Sequence, residues 1–111
     1  MSENKPCVVF VTTGNRGEAE RIAAALVKWK MAACVSILPG VESTFWWEDK
    51  IDTASEFLLM IKTTMDRFPD VEAAVKEYHS YKVPEIVALP IEAGHGPYLQ
   101  WLAASTHPEG E

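Results

Sequence analysis

A chain of 111 residues fits one domain and is long enough to bury about two-thirds of its unfolded surface, so a core can hold without disulfides or metal. Ten basic against sixteen acidic residues leave a net charge of −6, which argues against a nucleic-acid binder, since phosphate backbones demand clustered Lys and Arg. The two cysteines, Cys7 and Cys34, lack CxxC spacing and point to a reduced, cytoplasmic protein; no apolar run approaches the roughly 18 residues of a membrane span.

The polar start, residues 1–6, is expected to be flexible and carries no apolar leader segment. Cys7 to Val11 is a β-branched and aromatic run and reads as a buried first strand, with Cys7 a structural residue. Asn15 follows, with Glu18 three residues on in capping-box register, so a helix starts there. Ala19, Ile22, Ala23, Leu26 and Trp29 recur at helical spacing and form its apolar stripe. Ala32 to Leu38 and Val41 to Trp47 are apolar runs separated by Pro39-Gly40. That pair is either a turn between two strands or a bulge within one long strand. Glu48-Asp49-Lys50 is a tight turn.

Ile51 to Thr64 reads as a single strand, with Phe57, Leu59 and Ile61 on one face and Leu58 and Met60 on the other. Asp66 opens a second helix, with Pro69 in its first turn and Phe68, Val71, Val75 and Tyr78 on one side; His79-Ser80-Tyr81 closes it. Val83 to Ile91 is the last strand, and Pro84 and Pro90 place it at a sheet edge. Tyr98 to Ser105 is a short amphipathic helix, and 106–111 reads as a flexible tail.

The order β-α-β-β-α-β plus a terminal helix is the ferredoxin-like split βαβ plan, a single α+β sandwich domain with an antiparallel sheet and a long central hairpin. The fourteen residues from Ile51 to Thr64 span about 46 Å as a strand, whereas a spherical domain of this size is about 34 Å across. The hairpin from Val41 to Glu56 is therefore expected to project, with Phe45, Trp46 and Trp47 at its tip. An open aromatic hairpin aggregates unless another subunit pairs with it, so an oligomer is expected. The competing reading is a bend at Pro39-Gly40 that folds the strand over its own core.

Ala32-Ala33-Cys34-Val35, Leu38-Pro39-Gly40-Val41, Trp47-Glu48, Ile61-Lys62-Thr63-Thr64, His79-x-Tyr81-x-Val83-Pro84-Glu85-Ile86 and Tyr98-Leu99-x-Trp101-Leu102 together resemble the CutA divalent-cation tolerance proteins, from about Val8 to Ser105. The resemblance implies a tightly packed homotrimer, with long strands paired across subunits and clefts between them. It also implies an association with tolerance of copper and other divalent metals, and a shape similar to the PII signalling proteins. It implies no enzymatic reaction. Ser36, Asp49 and Ser80 depart from the family pattern, which often has Asn, Gly and the Pro of a His-Pro-Tyr motif there. The second departure adds strain to the hairpin turn, and the third loosens the loop beside His79.

Three residues are the expected metal ligands. Cys34 offers a thiolate suited to soft copper(I), or serves as a small buried hydrophobe. His79, at a helix end, supplies a neutral nitrogen or caps the helix dipole. Glu85 offers a carboxylate oxygen or a salt bridge. Copper or another divalent cation is the expected ligand, and none is needed for folding. His95 and His107 are expected to be solvated, and without HxxxH or paired-Cys spacing a dedicated zinc site is unsupported.

Trp47, Glu56, Lys62, Tyr81 and Trp101 are the expected intersubunit cleft. They are either a small-ligand pocket with one acid and one base or the core of an interface. Lys62, inward on an apolar strand, needs an anionic partner: Glu56 on the same strand face, a carboxylate of another subunit, or a bound anion. No nucleophile–base pair, GxSxG, P-loop or GxGxxG is present, so an enzyme is not expected. The expected function is a homotrimeric copper and divalent-cation tolerance protein that responds to metal ions, with a PII-like signalling or adaptor trimer, taking a small anion or a partner in its clefts, as the alternative.

Overall fold

The first strand, β1 (Pro6–Thr13), follows its period-two pattern: Cys7, Val9, Val11 and Thr13 are buried while Val8 and Phe10 face the other way and are half-buried. In the computed structural model, which describes residues 5–107, β1 continues into α1 (Arg16–Lys28), β2 (Cys34–Trp47), β3 (Lys50–Thr64), α2 (Phe68–Tyr78), β4 (Ile86–Pro90) and α3 (Gly96–Thr106). A 3-10 turn at Met65–Arg67 leads into α2. The sheet order is β2-β3-β1-β4 with every pair antiparallel, the ferredoxin-like plan. Residues 1–4 and 108–111, part of the expected flexible ends, lie outside the described residues.

The core lies between one sheet face and α1 and α2. Val9, Val11, Leu59 and Ile61 of the sheet meet Ala19, Ile22 and Leu26 of α1 and Val71 and Val75 of α2. Cys7 is fully buried at its edge, and burial, helped by the charge of Asp66, pushes its thiol up to about 11. It is a protonated packing residue.

Asn15 caps α1 by accepting the Glu18 N–H at 2.7 Å. The capping box is only half made, because the Glu18 carboxylate turns inward with Oε2 3.3 Å from His79 Nδ1. The apolar stripe of α1 stops at Leu26. Helical geometry ends at Lys28 and Lys30 has a positive φ of 60°, so Trp29 lies out in solvent under the Lys28 ammonium. Tyr78, read as part of the buried side of α2, is likewise exposed.

Pro39-Gly40 is a bulge within one strand. The register of β2 on β3 shifts between Leu38 and Val41, and Gly40 has a φ of +75°, a conformation glycine adopts freely. A slip of one residue swaps strand faces. Cys34, Ser36 and Leu38 oppose Lys62, Met60 and Leu58 before the bulge; Val41, Ser43, Phe45 and Trp47 oppose Glu56, Ala54, Asp52 and Lys50 after it. Even positions before the bulge and odd positions after it thus share the face turned away from the helices. Glu48 and Asp49, at φ 51° and 65°, form the two-residue turn, whose left-handed geometry suits the strand twist. The molecule measures 48 × 26 × 21 Å; the hairpin projects as its length requires and does not fold over its own core.

β4 is shorter than the expected Val83–Ile91. Its ladder to β1 begins where Ile86 meets Val11, and Val83–Glu85 form an irregular lead-in. α3 begins earlier than expected, with Pro97 in its first turn, and ends later. Thr106 is fully buried, Arg67 Nε donates to its carbonyl at 2.7 Å, and His107 Nε2 lies 2.6 Å from Asp66 Oδ2. His107 is therefore held rather than solvated, and residues 106–107 are fastened rather than loose.

The hydrogen bond to Asp66 raises the His107 pKa, against the opposing effect of burial. Burial acts to raise Asp66, but its hydrogen bonds and the His107 charge outweigh that and leave it lowered. A raised histidine contributes stability that is complete below its unfolded value and lost as pH rises through its folded one; a lowered aspartate contributes above its unfolded value and loses the contribution as pH falls. The clamp is therefore strongest between about pH 4 and pH 6.5. Hydrogen-exchange protection of the Leu102–Thr106 amides should fall as pH is raised from about 6 to about 8.5, and Asp66→Asn should abolish that pH dependence.

The sheet face away from α1 and α2 is only partly covered. α3 lies against β3 and β1 there, burying Leu102 apart from the main core. Leu58 and Met60 are half-buried, and Leu38, Val87 and Leu89 are exposed on the same face.

Candidate functional site

The bulge builds the site. By moving the odd positions of outer β2 onto the open face, it brings Ser43, Phe45 and Trp47 to the side of β3 that carries Glu56. Glu56 is 7% exposed. Ser43 Oγ donates to its Oε1 at 2.6 Å and the Tyr81 hydroxyl to its Oε2 at 2.7 Å. Burial, together with the Glu56 hydrogen bond, pushes Tyr81 up to about 12, so its proton stays in that bond across the physiological range.

Tyr81 is aimed by His79. The rings lie 4.7 Å apart between centroids, and the Tyr81 backbone N–H donates to His79 Nδ1 at 3.1 Å. The other ring nitrogen, Nε2, donates to the Thr12 carbonyl at 2.7 Å, which fixes the tautomer. The side chain is buried between β1 and Glu18, and its backbone caps the end of α2 on the Val75 carbonyl.

Around Glu56 opens a pocket of about 880 Å³. Trp47, Glu56 and Tyr81 of the expected cleft meet there, and Glu85 reaches it from the lead-in to β4. Phe45, expected at the hairpin tip, completes its character with Asp52 and Lys82; Asp52 and Lys82, like Ser43, were not singled out from the sequence. Ser43 in particular is on this face only because of the bulge, so the signal for it was Pro39-Gly40.

Lys62 and Trp101 are not part of this pocket. The Lys62 ammonium donates to Ser36 Oγ at 2.5 Å and lies 3.8 Å from Cys34 Sγ, so its nearest partners are a hydroxyl and a thiol, while Glu56 is engaged by Ser43 and Tyr81. Trp101 lies on α3 against Tyr98. Burial raises the Tyr98 pKa, and Cys34 adds to the effect, which places this aromatic pair near the half-buried Cys34.

Cys34, His79 and Glu85 therefore do not form one centre within a subunit. Cys34 lies in the Lys62 cluster, both His79 nitrogens are engaged by backbone, and Glu85 lines the pocket. Among the described residues of one chain no group of three or more His, Cys, Asp or Glu is placed to hold a metal ion, and no helix is long and apolar enough to cross a membrane.

Residues 7–105 match the family model described as CutA1 divalent ion tolerance protein. The divalent-cation tolerance protein CutA of Thermus thermophilus is 46% identical over 99 residues, covering 89% of this chain and 96% of its own length. The chloroplastic protein CutA 1 of Oryza sativa is also 46% identical over 99 residues, 89% of this chain but 56% of its own; the chain spans about half the length of the plant relatives it matches. The solved structure of CutA1 from Oryza sativa superposes with a TM-score of 0.91 at 43% identity, over 96% of this chain and 98% of that one. That of the Thermus thermophilus protein gives 0.90 at 44%, over 92% and 99%.

Proposed function

The chain belongs to the CutA1 divalent ion tolerance family, and from that premise we propose that it is a divalent-cation tolerance protein that works as a homotrimer and binds copper-like cations. The observation that carries the assembly is the open apolar surface. Leu38, Val87 and Leu89 on one sheet face and Trp46 and Ile51 on the projecting hairpin are all exposed in the isolated subunit, and both β2 and β4 are free sheet edges. Such surface on a lone chain is an aggregation hazard, and a closed symmetric assembly removes it.

The metal reading rests on Cys34. It is a half-buried free cysteine whose sulfur lies 3.8 Å from the Lys62 ammonium, and sulfur is the ligand type that soft cations prefer. Since His79 and Glu85 do not join it within one subunit, any further ligands come from elsewhere in the assembly. Titration of copper(I) under anaerobic conditions into the assembled protein should give saturable binding, weakened at least about tenfold in Cys34→Ser. Equal affinities would remove Cys34 from the site.

We read the protein as a binding protein and not an enzyme. Its free thiols support a reducing compartment, the cytoplasm. The PII-like reading, in which the clefts take a small anion, finds little support in the pocket: Lys62, its expected anchor, lies outside, and Asp52, Glu56 and Glu85 face a single lysine.

A further inference from the structure

The pocket beside the hairpin has a composition that neither a metal ion nor an anion exploits. Glu56, Asp52 and Glu85 border it against one base, Lys82, so an anion meets net negative charge. Among the described residues no group of three or more His, Cys, Asp or Glu is placed to hold a metal ion, these carboxylates included. The rings of Trp47, Phe45 and Tyr81 line the same pocket. A volume of about 880 Å³ is that of a site for an organic molecule.

From this we propose that the pocket binds a small organic ammonium ion, with its charged head at Glu56 and its alkyl body against Trp47 and Phe45.

Glu56 carries the argument. It is almost fully buried, yet the two groups that bond it, the Ser43 and Tyr81 hydroxyls, are neutral. A buried carboxylate held only by neutral donors gains from a cation. The two hydroxyls fix the orientation of the carboxyl group and occupy one acceptor position on each oxygen, leaving a second on each for an N–H donor. The aromatic faces select among cations. A weakly hydrated alkylammonium gains from ring quadrupoles, and its hydrocarbon part gains from apolar cover. The proposal uses neither Cys34 nor Lys62, so it stands or falls separately from the copper reading.

The test is calorimetric titration of the assembled protein with three probes of one chain length: n-butylammonium, 1-butanol and butyrate. The expected result is saturable n-butylammonium binding at least about tenfold tighter than either control. Glu56→Gln keeps the shape and an acceptor for a hydroxyl; it should weaken n-butylammonium about tenfold and leave 1-butanol unchanged. If circular dichroism shows that Glu56→Gln does not fold, Asp52→Asn on the exposed hairpin takes its place, with the same direction of change expected. Equal affinity for the three probes overturns the proposal, as does tighter butyrate binding. Absence of n-butylammonium binding also overturns it, and would leave the pocket to a segment of a neighbouring subunit. Undiminished n-butylammonium binding in the folded variant contradicts the assignment to these carboxylates.

Discussion

Ile61→Ala should destabilise the protein by about 3–4 kcal/mol, the upper part of the range for truncating a buried aliphatic side chain. Ile61 is fully buried on β3, the strand between β1 and β2, paired with Val9 on one side and Val35 on the other. Its removal leaves a cavity under α1 and α2 that packed neighbours on two strands cannot close. The loss is a large part of the roughly 5–15 kcal/mol that holds a domain of this kind. Denaturant midpoints measured at one fixed protomer concentration check it, because assembly makes stability concentration-dependent. The midpoint should fall with the slope unchanged; a change within about 0.5 kcal/mol would mean that the core is not where the sheet register puts it.

The second large effect concerns the other face of the sheet. Val87 and Leu89 are 46% and 45% exposed in the subunit and oppose Phe10 and Val8 across the ladder. For an isolated chain, Val87→Glu/Leu89→Glu is a surface change of little consequence. If the face is covered by neighbouring subunits, the same substitution buries unpaired carboxylates, each costing several kcal/mol. The assembly should then dissociate while the subunit keeps its fold, since the core under α1 and α2 is untouched. Circular dichroism should stay near wild type as the sedimentation coefficient drops to that of a monomer. A variant that remains assembled would show that the interface lies elsewhere, at the sheet edges or the hairpin tip.

These two faces also mark how much the sequence discloses. The alternation through β1 and β3 specifies the core side of the sheet, because each strand there is regular and a period of two has one solution. The order of elements and the length of the hairpin were legible for the same reason. Trp29 and Tyr78 were not: each continues a helical apolar stripe into a last turn where the chain leaves the helix or the stripe leaves the core. His107 reads as tail, and only tertiary structure brings Asp66 beneath it. In the candidate site, Trp47, Glu56 and Tyr81 could be named beforehand, but Ser43 could not, since its face depends on whether Pro39-Gly40 is a turn or a bulge. Lys62 was placed on the same strand face as Glu56, but of the three partners left open for it Glu56 is bonded by Ser43 and Tyr81 instead. A short hydroxyl contact across the ladder, Ser36, reaches Lys62 at the position directly opposite Met60, one step from Cys34, while Glu56 sits three same-face positions away along the strand. Parity along a strand predicts sides; it does not predict which polar group on that side is within reach.

Sedimentation equilibrium of the unmodified protein at micromolar concentration tests the central claim most directly. The hairpin that extends the molecule to 48 Å and the apolar face beside it leave surface for partner copies to cover, and the proposed homotrimer predicts a single species of three times the 12.4 kDa subunit mass. A stable species at 12.4 kDa would contradict the account, because the exposed hairpin and sheet face would then stand in water without a partner.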